Sequence, residues 1–350
     1  MDADWPAGSV ERFALGTVTV VAGASDNVAL VLPDDVVGLN LVLVEATPRS
    51  LLAVTELRGP GGALVEARPA GWVPSDADRA LGPFPGAFHS PNRSVAFAAG
   101  VGALHAPAAP GVALVGGAWT LRIGAVDFDT EAPAHTEVAI TAWVRRGPLL
   151  AEGRLPVHMF VSHIEGLNAV SAPADPRIGA ALAHMSALLA SAGIAAEVVS
   201  WQDVAADGPW PVEGGGALEG LLRTNDHEDG VALFLVDHLT TPFGTEVAGV
   251  AGGTPGPSLT PGTGRSGVAI AWASGLAPAA IGRVMAHEVG HFLGLFHTVE
   301  PGGFPDPLPD TSEDPADRGN LMVPWVGDEA AEVSPAQGVI LRADPAVEAW

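Results

Sequence analysis

The chain contains no cysteine. Disulfide staples, thiolate metal ligands and a cysteine nucleophile are all excluded by that one absence. Tyrosine is missing too, so no phenol can serve any site as ligand or donor. Basic residues are scarce: 16 stand against 40 acidic ones, for a formal net charge of −24. A basic face for phosphates cannot be built from that balance, so nucleic acid is not an expected partner. Anionic membrane surfaces are disfavoured for the same reason. Long apolar runs are lacking as well. The longest uncharged stretch, "VAFAAGVGALHAPAAPGVALVGGAWTL", is broken by Gly and Pro throughout and is too punctuated for a membrane span. The opening "MDADWPAGSV" carries no basic region followed by an apolar core, so no signal segment is expected there.

What is present is ample core material. Hydrophobic residues make up 48% of 350 residues, enough for about two domains. Up to about residue 146 the sequence reads as short strands rich in Val, Leu and Thr, such as "NVALVL", "LNLVLVEA", "WTLRIGAV" and "TEVAITAWV". Turn formers such as "LPDD" and "RGPGG" separate them, which predicts an all-β sandwich over 1–147. A linker is expected at 148–154, within "RRGPLLAEGRLP", where Arg145-Arg146 is a weak candidate for proteolytic processing.

From 155 to 350 the rhythm changes, and the class becomes α+β. "VHMFVSH", "IAAEVVSW", "VALFLVDHL", "TEVAGVAGG" and "SGVAIAW" give five strands of a mixed sheet. "DPRIGAALAHMSALLASAG" predicts a helix capped by Asp175, opened by Pro176 and ended at Gly193. A second helix runs from Pro278 to about Leu293. A third is announced by Ser334, Pro335 and Gln337 in capping-box spacing.

The second of these helices carries "MAHEVGHFLGLFH", with three of the chain's eleven histidines. His287 and His291 are four residues apart, so they share one helix face. Two imidazoles so placed can both reach one Zn²⁺ at about 2.0–2.1 Å. Glu288 is placed as a general base acting on metal-bound water. A continuous helix would carry His297 about 15 Å along the axis from His287, out of reach. Gly294 resolves this, because a left-handed residue there ends the helix and returns His297 as a third ligand. H-E-x-x-H alone arises by chance in about one chain of this size in a hundred. Gly294 and His297 reduce that to about one in tens of thousands, which decides against a merely polar-decorated helix.

The extended motif H-E-x-x-H-x-x-G-x-x-H resembles that of the metzincin zinc peptidases. "NLMVP" is similar to their methionine turn, with Met322 as an apolar floor under the imidazoles. "FHTVEPGGFPDPLPDT" is similar to the pappalysin-like branch. The resemblance covers about 155–350. The "GAWTLRIGAV" segment with its following strand resembles the end of jelly-roll sandwiches attached to secreted bacterial peptidases. The resemblance implies a zinc endopeptidase, secreted or at a cell surface, in which Glu288 deprotonates the zinc-bound water that attacks a peptide carbonyl. It implies that the sheet edge at "TEVAGVAGG" holds a peptide substrate by strand addition. It also implies Ca²⁺ near Asp306, Asp310, Glu313 and Asp314, with Asp317 close by. A solvated acidic loop stands as the equal alternative there. Pro324 and Trp325 are candidates for a specificity pocket. The tyrosine that several metzincins place beyond the methionine has no counterpart here.

Other readings stay open: an inactive binding or adhesion protein on a zinc-stapled fold, or a zinc hydrolase of non-peptide substrates. The first domain is expected either to bind substrate or glycan, or to block the cleft as a pro-region. His158, His163, His184, His227 and His238 match no ligand spacing and read as structural or surface residues. Asp127, Asp129 and Glu131 read as a solvated face rather than a second calcium site.

Overall fold

A computed structural model describes residues 8–66, 73–79, 81–162, 164–204, 210–211, 216–240, 245–272, 275–300, 302–314, 316–324 and 331–350. His163 and Trp325 lie outside the described residues. The chain divides into two compact units. One comprises Met1–Leu150 with Ala343–Pro345 and Ala349. The other comprises Ala151–Arg342 with Ala346–Glu348 and Trp350.

Among the described residues the first unit has ten strands: β1 (Val10–Val21), β2 (Ala24–Ser25), β3 (Val28–Leu32), β4 (Val36–Glu45), β5 (Ser50–Gly59), β6 (Gly62–Glu66), β7 (Val95–Ala98), β8 (Val101–Ala106), β9 (Gly117–Asp127) and β10 (Thr136–Arg146). Two single-turn helices, α1 (Asp76–Arg79) and α2 (Pro85–Phe88), lie between β6 and β7. Every pairing is antiparallel. The order is β6-β5-β9-β2-β1-β10-β4-β8-β7, with β3 also on β9. The expected sandwich is therefore one continuous sheet that curls onto itself. A bridge from Leu51 in β5, next to one end of that order, to Ala99, just past β7 at the other end, joins the roll.

Period-two alternation makes this core. Val138, Ile140, Ala142 and Val144 of β10 face inward with Leu39, Leu41 and Leu43 of β4 and Leu121 and Ile123 of β9. A register shift between Val54 and Glu56 lets Leu57 join the same inward row. The strand of 101–106 was hidden inside the Gly/Pro-punctuated apolar stretch. Arg145 and Arg146 belong to the end of β10, not to a connector, and the Arg145 side chain is fully buried. Arg145 donates to the Gly8 and Asp344 carbonyls at 2.8 and 2.7 Å. A protease has no exposed dibasic loop here.

The second unit opens with β11 (Gly153–Ser162), which begins inside the stretch read as a linker. Then come α3 (Pro176–Ser191), β12 (Ile194–Val204), β13 (Trp210–Pro211), α4 (Ala217–Leu222), β14 (Val231–Val236), β15 (Leu239–Thr240), β16 (Glu246–Val247), β17 (Gly249–Ala251), β18 (Val268–Ala271), α5 (Pro278–Phe292), β19 (Val299–Glu300), β20 (Phe304–Pro305) and α6 (Pro335–Ala343). The main sheet has five strands in the order β12-β11-β14-β18-β17. Its first three pairings are parallel, and β17 runs antiparallel at the edge. The sheet is mixed, as its pattern predicts. β14, "VALFLV", is buried at every position because both sheet faces are covered.

Local chemistry sets the helix ends. The Asp175 carboxylate accepts from the Arg177 and Ile178 amides at 2.8 and 3.0 Å. Gly193 follows the C-cap of α3 with φ +76°. At α6 the capping box is reciprocal: Gln337 N–H donates to Ser334 Oγ at 3.2 Å, and Ser334 N–H to Gln337 Oε1 at 2.9 Å. Ile178, Ala181, Met185, Leu188 and Leu189 form the buried stripe of α3. That helix packs on α5 and β12, and α5 packs on β17 and β18.

Candidate metal centre

Helix α5 is buried along most of its length. From Ala280 to Phe292 every residue is inside, the histidines and Glu288 included. Burying so many polar side chains is costly unless each has a partner. The partners are present. His287 Nδ1–H donates to the Leu321 carbonyl at 2.8 Å, and His291 Nδ1–H to the Leu295 carbonyl at 2.7 Å. A carbonyl only accepts, so both Nδ1 atoms carry the proton and both Nε2 atoms keep their lone pair.

The helix stops where the spacing requires. Gly294 has φ +104°. The Gly294 amide donates to the His291 carbonyl and the Leu295 amide to the Gly290 carbonyl, both at 2.9 Å. These are the two bonds of a Schellman motif. The chain turns, and His297 comes back against the helix. Its Nε2 stands 3.1 Å from that of His291. Two nitrogens bound to one tetrahedral zinc would lie about 3.3 Å apart. Ring planes of His287 and His291 are 89° apart, and those of His291 and His297 86° apart. One ligand atom from each of the three lies within 4.8 Å of the others. The donor set is neutral imidazole, which fits a divalent ion of the zinc type.

His297 lies beyond the helix and is held differently. Its Nδ1 bonds one Glu300 carboxylate oxygen at 2.8 Å, and its backbone amide donates to the other at 3.1 Å. Beneath the site, the fully buried Met322 packs where helix α5 has no side chain. A Cβ on Gly290 would come within 2.8 Å of Met322 Sδ. The Met322 carbonyl accepts from the Thr298 amide at 3.0 Å, next to the third histidine. Arg283, one turn before His287, donates to the Arg318 and Asn320 carbonyls and so holds the segment that delivers Leu321 and Met322.

Burial sets the protonation of the site. It pushes His287 down to about 4 and His291 well below its ordinary value, so both are neutral and able to ligate. Burial pushes Glu288 up to about 8, opposed by a hydrogen bond from the Ala251 amide. A cation on the adjacent histidines would pull that carboxyl back toward its ionised form. Ala251 lies on the edge strand β17. Ala248 and Gly252 bond toward β18, so by alternation Gly249 and Ala251 face outward. Gly249 sits so close to α5 that a Cβ there would lie 2.6 Å from Val284 Cγ1 and 2.8 Å from Glu288 Cγ.

The acidic residues are not gathered. Asp310 receives Ser334 Oγ at 2.7 Å and the Ala336 amide at 2.9 Å, which makes it a cap for α6. Asp306 receives the Leu308 amide and the Thr311 hydroxyl. Asp314 and Asp317 each close a local turn, on the Ala316 and Gly319 amides. Glu313 is exposed. Among the described residues, neither group of converging ligand-type side chains contains any of these acids. Asp127 likewise closes a turn on Asp129 and Thr130. Pro324 is half-buried.

A second group escaped the sequence reading. His158, His227 and Asp229 come together on β11 and the approach to β14. His158 pairs in register with Ser200 and Ala232, so only the sheet alignment reveals the meeting. Glu300 was also missed, although its place three residues after His297 was a legible signal for a histidine-orienting carboxylate.

No protein-family model matches the chain, and no curated protein matches it. Among solved structures, 58% of this chain aligns with 62% of metalloproteinase-II from Bacteroides fragilis, at 13% identity and a TM-score of 0.35. A family two carbohydrate esterase from Cellvibrio japonicus aligns 53% of its chain with 56% of this one, at 7% identity and a TM-score of 0.20. The corresponding alignment to an active-site mutant of a family two carbohydrate esterase from Clostridium thermocellum covers 65% of this chain and 66% of that one, at 9% identity and a TM-score of 0.17. The chain spans under two thirds of the first of these proteins. At such scores the alignments assign nothing, and the site stands on its own geometry. No helix among the described residues is long and apolar enough to cross a membrane.

Proposed function

We propose that this protein is a metal-dependent hydrolase. The observation that carries the reading is the convergence of three imidazoles on α5 and its return loop, with the Glu288 carboxyl in the same buried helix turn. Within that class, we read it as a zinc endopeptidase of the metzincin type, closest to the pappalysin-like branch. The motif, Gly294 and Met322 support that finer reading.

His287, His291 and His297 would hold the ion. Zinc supplies Lewis acidity, polarising a carbonyl and acidifying water. The chain's own residues do the rest. The backbone carbonyls of Leu321 and Leu295 keep His287 and His291 in the ligating tautomer. Glu288 takes a proton from the attacking water and gives it to the leaving amine. Its place in the same buried helix turn as two of the ligating histidines suits that work, because a cation there would favour the ionised carboxylate that accepts the proton. The outward row of β17 offers backbone groups to an extended peptide, and the Ala251 amide ties that row to Glu288. The exported or cell-surface setting belongs to the same reading.

Glu288→Gln keeps the shape and removes the base. The expected outcome is retained stoichiometric zinc with peptide cleavage reduced about 10²–10⁴-fold, measured on an unbiased peptide library. Undiminished cleavage in that variant would sink the assignment. Zinc-dependent hydrolysis of esters but not of any peptide would move the reading to a non-peptide hydrolase.

A further inference from the structure

The three imidazoles are not supported alike. His287 and His291 ride on a rigid helix and each donates to a neutral backbone carbonyl. His297 lies past the Schellman turn, on a loop, and is half-buried. Nothing in a loop of that kind fixes a side chain by periodicity. One carboxylate does so instead: Glu300 takes the ring Nδ1–H on one oxygen and the backbone amide of the same residue on the other. Glu300 itself sits at the end of β19, opposite Phe304 of β20, so the hairpin anchors the clamp.

We infer that Glu300 is the positioning residue of the metal centre: it orients His297 and makes it the most strongly donating of the three ligands. A carboxylate partner draws the Nδ1 proton toward itself and leaves Nε2 richer in electrons than a carbonyl partner does. The inference rests on the metal-centre reading above.

The test is metal titration of the full chain, without any assay of turnover. Co²⁺ is added to metal-free protein and its visible bands recorded, and Zn²⁺ affinity is measured against a chromophoric chelator. The wild type is expected to take up one ion. Glu300→Ala should weaken Zn²⁺ about 10–100-fold. Glu300→Gln keeps one acceptor and the side-chain volume but loses the charge, and should fall between the two. Both variants should shift the Co²⁺ bands while the metal-free proteins melt together. If the Ala variant also loses stability, the Gln variant decides. Wild-type affinity and an unshifted Co²⁺ spectrum in Glu300→Gln would overturn the inference and leave the metal centre standing. A wild type that takes up no ion would overturn both.

Discussion

Two clusters in the second unit contain paired histidines, and they are built in opposite ways. At His287, His291 and His297, the His291 ring stands nearly perpendicular to the other two, which are tilted 32° from each other, and one ligand atom from each lies within 4.8 Å of the others. At His158 and His227 the rings stack at 3.6 Å and 11°. Lone pairs of stacked rings lie in nearly parallel planes, so an ion between the rings would lie out of both planes. His158 also spends both nitrogens, on Ser200 Oγ at 2.8 Å and on Asp229 at 3.0 Å. His227 Nε2 stands close to the Gln202 amide. Proximity of ligand-type residues is thus a poor guide to a metal site by itself; whether their nitrogens are already spent on other partners and whether the rings stack also matter.

The comparison breaks most visibly by removing rings. His291→Ala should weaken zinc by more than about 100-fold, the upper end seen for losing a mere supporting partner. The double variant His158→Ala, His227→Ala should leave one zinc per chain by elemental analysis. Loss of the ion in the double variant, or its retention in His291→Ala, would reverse the assignment of the two clusters.

Next in size is the approach of the edge strand. Gly249→Ala puts a methyl group against Val284 and Glu288. It should cost about 1–3 kcal/mol in denaturant unfolding, the usual range for overpacking. An unchanged midpoint would mean that β17 can withdraw from α5 freely.

A smaller effect is the pH dependence of the metal-free protein. Glu288 holds its proton up to about 8 when folded, against 4.5 as its ordinary value. Its stabilising contribution is full below 4.5 and disappears as pH rises through 8. His287 runs the other way: folded about 4 and ordinarily 6.5, it contributes above 6.5 and loses that contribution as pH falls through 4. Of the two, only Glu288 titrates between 6.5 and 8. The metal-free Tm should therefore fall across that window, and Glu288→Gln should flatten the fall. A Tm that rises there would contradict the burial of Glu288.

The smallest expected effect is that of calcium. Asp306, Asp314 and Asp317 spend oxygens on local amides and hydroxyls, and Asp310 spends both on the start of α6, rather than on a shared point. EGTA at saturating zinc should leave the Tm unchanged. A drop reversed by Ca²⁺ would restore the acidic loop as a second ion site.

Much of the site was legible because it follows local rules. The spacing of His287 and His291, the stop at Gly294 and the caps at Asp175 and Ser334 all come from helix geometry and backbone sterics. The curled sheet was harder to read. Alternation marks which residues face inward, but not whether two layers are separate sheets or one sheet rolled over. That depends on the bridge between Leu51 and Ala99, far apart in the chain. Arg145 and Arg146 misled for a related reason, since a dibasic pair looks the same in a loop and in a buried strand.

By itself, then, the sequence determined which atoms could ligate and which residue could move a proton, because a helix repeats every 3.6 residues whatever surrounds it. Tertiary structure alone decided which tautomer His287 holds, how high the Glu288 carboxyl titrates, and that His158 and His227 stack on each other. Those properties depend on partners and burial supplied by other segments, and only chain closure brings them together.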